Sequence, residues 1–177
     1  MAIQLQKGTP ISFQKSAAVA EITLTWTTAS DPDLGAMCQA IGEKPYIVQA
    51  LGRTFGSLGK SPFVLLDKDA RSGGQEKISI NLARSDQLER VLVYGTIYQG
   101  GNWKNVGDAR VTVRCPDYDE YVIDLGKSDA KSVGLVDFRN VNGNLVMTRL
   151  EDFIHGDESA IDRFYNFPNL AWRTGSK

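Results

Sequence analysis

Histidine and cysteine are nearly absent from this chain of 177 residues. His155 is the single histidine, so a Ser-His-Asp triad or a histidine zinc site would depend on that one side chain. Cys38 and Cys115 lie far apart and form no C-x-x-C motif, which excludes the common cysteine-based zinc and redox motifs. Both stand among alternating apolar residues, so we expect two reduced, half-buried core thiols and an intracellular protein.

Long apolar runs and a charge excess are also missing. No stretch approaches the roughly 18–20 apolar residues of a membrane-spanning helix, and residues 1–7 have neither the basic leader nor the apolar segment of a secretory signal. The formal net charge is −1, with both signs scattered along the chain, so no nucleic-acid partner is expected. We expect a cytoplasmic protein without a membrane span; peripheral membrane association and self-association stay open alternatives.

Motifs of catalysis are absent as well. No serine stands in a G-x-S-x-G turn, and the glycines at 52, 56 and 59 lack the spacing of phosphate or dinucleotide loops. We therefore expect that the chain is not an enzyme. The weaker alternative is an enzyme with a pocket around His155 and an acidic neighbour.

What the chain has instead is alternation with a period of two. Ile22, Leu24 and Trp26 alternate with threonines, which predicts a half-buried strand. Residues 91–98 are apolar on both faces and predict a central strand. Asn142-Gly143 is a strong hairpin signal. The other predicted strands are residues 3–5, 11–13, 37–41, 46–51, 63–66, 78–82, 111–115, 121–125, 133–138 and 145–148.

Many short strands separated by turn residues predict an all-β fold, a sandwich or a barrel, in a single domain over residues 1–177. Residues 52–62 hold three glycines and a proline and predict a long loop. One short helix is predicted at residues 158–165, with Asp157 as its N-cap and Pro168 as its stop. The aromatic string of residues 164–172 favours a tail docked on the core, with an interaction patch as the alternative.

Two Asp-x-Asp pairs are the main candidates for chemistry. Asp31 and Asp33 follow the strand that ends at Trp26, and Asp67 and Asp69 follow strand 63–66 and lead into a glycine-containing loop. Calcium prefers six to eight oxygen ligands, and an Asp-x-Asp pair places two carboxylates on one side of an extended segment. We expect the two pairs to converge at one end of the fold; ordinary polar turns are the alternative.

Three segments carry a resemblance to a known family. Residues 3–13 resemble its opening pair of strands with a Lys-Gly turn. Residues 21–34 resemble its strand that ends in tryptophan before an acidic segment, and residues 63–78 resemble its acidic loop. On these segments the chain is similar to the tellurium-resistance TerD/TerA family. The compact acidic loop, residues 155–162 and the C-terminal residues resemble the TerA branch.

The resemblance implies a β-sandwich of two mainly antiparallel sheets with one short C-terminal helix, in a cytoplasmic stress-response protein without established catalysis. It also implies partner proteins in a stress-response complex and one or two calcium ions. The oxygen donors that it implies are the carboxylates of Asp31, Asp33, Asp67, Asp69 and Glu76 and the backbone carbonyls of Gly73 and Gln75. Pro32 and Lys68 depart from the family pattern, so the alternative is a structural or assembly protein that has lost the metal.

Overall fold

The computed structural model describes residues 1–67, 74–99 and 101–167. The strands in these ranges are β1 (Ala2–Gln4), β2 (Ile11–Phe13), β3 (Val19–Trp26), β4 (Asp31–Ala40), β5 (Tyr46–Val48), β6 (Gly56–Ser57), β7 (Val64–Leu66), β8 (Gly74–Asn81), β9 (Leu88–Gln99), β10 (Arg110–Arg114), β11 (Glu120–Asp124), β12 (Ser132–Val141) and β13 (Asn144–Ile154). The α-helix is α1 (Glu158–Tyr165), and short 3-10 helices span Leu51–Arg53, Leu82–Gln87 and Trp103–Asn105.

The strands form two sheets. Sheet A has the order β1-β11-β10-β3-β8-β7-β6, and sheet B has the order β2-β13-β12-β9-β4-β5. Neighbours pair antiparallel except β1 and β11, which are parallel. The predicted all-β sandwich of two mainly antiparallel sheets, with a short helix near its C-terminal end, is therefore confirmed.

The main core lies between the two sheets. In β3, intermediate and buried side chains alternate strictly, and Ile22, Leu24 and Trp26 face inward as predicted. A second apolar layer lies on the outer face of sheet B, where α1 covers Met37 and Leu92. Cys38 and Cys115 are both buried and free of disulfide bonds, in agreement with the predicted core thiols.

Helix α1 has the predicted bounds. The Asp157 carboxylate accepts a hydrogen bond from the Ser159 amide at 3.0 Å and caps the helix. Asn166 ends it in the left-handed conformation. The predicted stop at Pro168 and the aromatic residues after Phe167 lie outside the described residues. Where the chain is described, no helix has both the length and the apolar character to cross a membrane.

Several predicted boundaries were wrong. Strand β4 begins at Asp31, not at residue 37, because its first residues pair with the long strand β9. Strand β5 ends at Val48, and β13 runs on to Ile154. The stretch expected to be a loop at residues 52–62 contains β6, which pairs with β7.

Candidate acidic site at one end of the sandwich

The predicted calcium ligands come from strand ends that meet at one end of the sandwich. Strand β3 ends there at Trp26, which pairs with Gly74 at the start of β8. Strand β4 starts there, and β7 ends there just before Asp67. Antiparallel pairing places these ends together and so brings Asp31, Asp33 and Asp67 to the same end. Asp69 lies outside the described residues, so the convergence of the two complete pairs stays a prediction.

Asp33 lies on the outer face of sheet B. It is 6 % exposed and pairs with Thr96 of β9. Side chains two residues apart share a face of a strand, and Gly35 lies directly under the ring of Tyr94 on this face. Burial raises the pKa of Tyr94, and the negative charges of Glu158 and Asp33 raise it further. Asp33 and Glu158, the first residue of α1, are thus each close enough to Tyr94 to raise its pKa.

Glu76 lies on the inner face of sheet A and is 1 % exposed. Its Oε2 accepts a hydrogen bond of 2.7 Å from the backbone amide of Leu34, which belongs to sheet B. The Glu76 side chain therefore spans the gap between the two sheets and reaches the peptide that joins Asp33 to Leu34. The Asp33 side chain itself lies on the opposite, outer face of sheet B.

Asp31 is also buried, with 7 % of its surface exposed, and it pairs with Gln99. The register of β4 against β9 shifts between Asp31 and Pro32. The extra residue at this shift is Tyr98 of β9, because the partners of Asp31 and Pro32 are Gln99 and Ile97. Strand β4 itself has no inserted residue there, so the expectation that Asp31 and Asp33 share one side stays a prediction.

The remaining candidate calcium ligands are either exposed or outside the described residues. Asp67 and Gln75 are exposed; the Asp67 amide donates to the Lys77 carbonyl at 3.0 Å, and Gln75 pairs with Thr25. Asp69 and Gly73 lie outside the described residues. Within residues 1–67, 74–99 and 101–167, no three His, Cys, Asp or Glu side chains are grouped closely enough to hold a metal ion.

One buried donor at this end bears on whether a hydrated cation fits. Trp26 is 4 % exposed, and its indole Nε1 has no hydrogen-bond partner among residues 1–67, 74–99 and 101–167. It faces the same interior as Glu76, because its strand neighbour Leu24 pairs with Glu76. A buried donor without an acceptor is costly, and an oxygen from a bound water molecule would satisfy it. A water molecule at this position would lie in the interior with Glu76, on the opposite side of sheet B from the Asp33 side chain.

The sequence did not point to three residues around Asp33. The Tyr94 hydroxyl donates to Gln49 Oε1 at 3.0 Å. Gln49 Nε2 is buried and has no hydrogen-bond partner within the described part of the chain. Glu158 comes from a distant part of the chain. Of these three residues, only Tyr94 had a signal in the sequence: it lies in the apolar run 91–98, which predicted a buried strand.

His155 lies elsewhere on the surface. Its side chain is largely exposed, and Nε2 is 3.7 Å from Asp129 Oδ1. This gives the acidic neighbour that an enzyme around His155 would need, but both side chains are in contact with water. Exposed groups of this kind are weakly coupled.

Comparison with known proteins adds one relative. Over 154 aligned residues the chain is 30% identical to the tellurium resistance protein TerA of Alcaligenes sp. This similarity supports a relationship to the tellurium-resistance (Ter) family. The alignment covers 84% of this chain and 45% of TerA, so the chain spans about half the length of this curated relative. No protein-family model matches the chain. The Ter relationship agrees with the resemblance of residues 3–13, 21–34 and 63–78.

Proposed function

We propose that this chain is a calcium-binding, non-enzymatic stress-response protein of the TerA-like branch. It acts in the cytoplasm as a binding or scaffold module for other proteins of a stress-response complex. The observation that carries the proposal is the burial of Asp31, Asp33 and Glu76 at one end of the sandwich. The similarity to TerA supports the stress-response role.

Burying carboxylates costs free energy unless hydrogen bonds or opposite charges compensate them. The Leu34 amide supplies part of that compensation for Glu76. A divalent cation held by Asp31, Asp33 and the loop that follows Asp67 would supply more of it. Calcium suits this end of the fold because it accepts carboxylates, backbone carbonyls and water in irregular geometry. The cation would order the loops, and that face would then meet a partner protein.

The first test is a thermal melt of EDTA-stripped protein with and without millimolar calcium, with magnesium as the control. A ligand that binds only the folded state stabilises it by RT ln(1 + [L]/Kd). We expect a calcium-specific rise in Tm. No rise, together with no binding heat in titration calorimetry, would contradict calcium binding.

Substitutions of single aspartates test which residues bind the calcium ion. Asp33→Asn and Asp69→Ala each remove a charged oxygen donor, so we expect calcium affinity to fall at least about tenfold. Asp86→Asn is the matched control, because Asp86 is exposed and pairs with Lys15 at 2.7 Å, away from the acidic end. If Asp69→Ala leaves both calcium affinity and Tm unchanged, the loop after Asp67 is not the site.

A structural or assembly protein that has lost the metal is the second candidate. It is favoured because the described carboxylates do not form a close group of three and because Phe164 of α1 is 56% exposed. This candidate predicts no calcium effect on Tm. It also predicts self-association that weakens in the Phe164→Ala or Trp172→Ala variant, measured by sedimentation velocity.

A further inference from the structure

On the side away from β9, the first residues of β4 pair with no strand of the described part of the chain. Strand β4 runs from Asp31 to Ala40, but β5 pairs only with its residues 36–38. Edge amides need other acceptors when they are buried. For the amide of Leu34, the acceptor is Glu76 Oε2 of the opposite sheet.

This amide belongs to the peptide that joins Asp33 to Leu34. Because a peptide unit is planar and rigid, a hydrogen bond to the Leu34 nitrogen also fixes the orientation of the Asp33 carbonyl group. Glu76 reaches this peptide from β8, which begins just two residues earlier at Gly74. The hydrogen bond thus ties the start of β8 to the start of β4.

We infer that Glu76 is a positioning residue: the length of its side chain, more than its charge, holds the start of β4 in place for the aspartates of the cation site. The inference rests on the proposed calcium site and assigns Glu76 a role other than the ligand role that the family resemblance implies.

Two observations separate this role from direct ligation. Oε2 already accepts the Leu34 amide, which occupies one of the directions along which it could approach a cation. In addition, Glu76 is almost fully buried between Leu24 and Ile78 of the main core. The Asp33 side chain lies on the outer face of sheet B with Gly35 and Tyr94, whereas Glu76 lies in the interior between the sheets with Leu24.

Two substitutions at Glu76 distinguish the effect of its side-chain length from the effect of its charge. Glu76→Gln keeps the length and a carbonyl oxygen that can accept the Leu34 amide, but it removes the charge. Glu76→Asp keeps the charge but is one methylene shorter. The same pair at Glu21 is the control, because Glu21 lies on β3 with its carboxylate near Lys77 at 3.5 Å on the outer face.

The readouts are hydrogen exchange of the Leu34 amide in calcium-free protein and the calcium Kd from titration calorimetry. For Glu76→Gln we expect both within about threefold of wild type, since a neutral acceptor retains the hydrogen bond. For Glu76→Asp we expect at least about tenfold faster exchange and at least about tenfold weaker calcium binding, because the bond is lost. Both variants at Glu21 should match wild type.

Other outcomes overturn the inference. If Glu76→Asp binds calcium like wild type and Glu76→Gln does not, Glu76 is a ligand. If both variants lose stability but keep the calcium Kd, its role is only structural. If Glu76→Gln does not fold, the charge itself is required, and the length-based role is wrong. If wild type binds no calcium, the proposed function fails, whereas the order of Leu34 exchange rates still decides whether Glu76 holds β4.

Discussion

Arg90 Nε lies 2.9 Å from Asp137 Oδ1, and only 14% and 6% of the two side chains are exposed. The same guanidinium donates to the Tyr165 carbonyl at 2.8 Å and stacks 4.5 Å from the ring centroid of Phe167. One arginine therefore joins β9, β12 and the end of α1. Asp137 has a second partner, Arg139, whose Nε lies 2.9 Å from Oδ2. Removing Arg90 therefore leaves the buried Asp137 carboxylate with only part of its compensation.

We predict that Arg90→Ala lowers the free energy of unfolding by about 2–3 kcal/mol, measured by urea denaturation. This is less than the roughly 3–5 kcal/mol lost when a buried charge keeps no partner, because Arg139 still pairs with Asp137. The control is Arg110→Ala, whose partner Asp124 lies 2.6 Å away but whose pair is about half exposed. Exposed pairs contribute little to stability because water screens them, so we expect a clearly smaller loss for Arg110→Ala. Equal losses in the two variants would show that Arg90 does not anchor α1.

Gly35 gives a second prediction. A Cβ atom at this position would lie 2.5 Å from both Cζ and Oη of Tyr94, so Gly35→Ala must displace a buried ring from its hydrogen bond with Gln49. Overpacking of this kind costs about 1–3 kcal/mol. Gly59→Ala is the control, because nothing lies within 4 Å of its Cβ position. Thermal melts of both variants decide the point; a Gly35→Ala protein as stable as wild type would contradict the packing described.

The strands that were predicted well are those whose signal is local. Alternation in β3 and the Asn142-Gly143 turn depend on neighbouring residues. The cap at Asp157 marks the start of α1 in the same way. The start of β4 was missed because aspartate and proline are disfavoured in strands. There, pairing with β9, more than fifty residues later, overrides local preference.

The acidic site likewise has parts that a local sequence pattern predicts and parts that only the packed fold brings together. The two Asp-x-Asp segments and Glu76 were recognised because carboxylates and glycine stand close together in sequence. The contact between Glu76 and Leu34 joins residues 42 positions apart, and Glu158 comes from the far end of the chain. No local pattern encodes such contacts, since they arise only when the two sheets and α1 are packed.

Thiol reactivity provides a third prediction. Burial raises the pKa of the Cys38 thiol far above its usual range, and burial together with Asp117 raises the pKa of Cys115. The thiolate is the reactive form, so we expect iodoacetamide at pH 8 to label neither cysteine quickly in the folded protein. Cys115, which lines an open surface cleft, should react before Cys38. Peptide mass spectrometry gives the order, and labelling in urea is the control. Faster labelling of Cys38 would contradict its place in the core.

The cap of α1 gives a pH-dependent prediction. The Ser159 hydroxyl and amide both donate to Asp157, and hydrogen bonding from the Ser159 side chain lowers the pKa of this carboxyl. A carboxyl with a lowered pKa in the folded state stabilises the protein above its unfolded pKa of about 3.9. That stabilisation is lost as the pH falls through the lower, folded-state pKa.

We therefore predict that Asp157→Ala lowers the free energy of unfolding by about 1 kcal/mol at pH 7, as loss of an N-cap does. The difference from wild type should shrink below about pH 4. Asp157→Asn is the control: asparagine caps helices about as well as aspartate but does not titrate, so its advantage over alanine should stay constant with pH. Urea denaturation from pH 7 to pH 3 measures both differences. A wild-type advantage over alanine that stays flat over this range would mean that the ionised carboxylate is not what holds the start of α1.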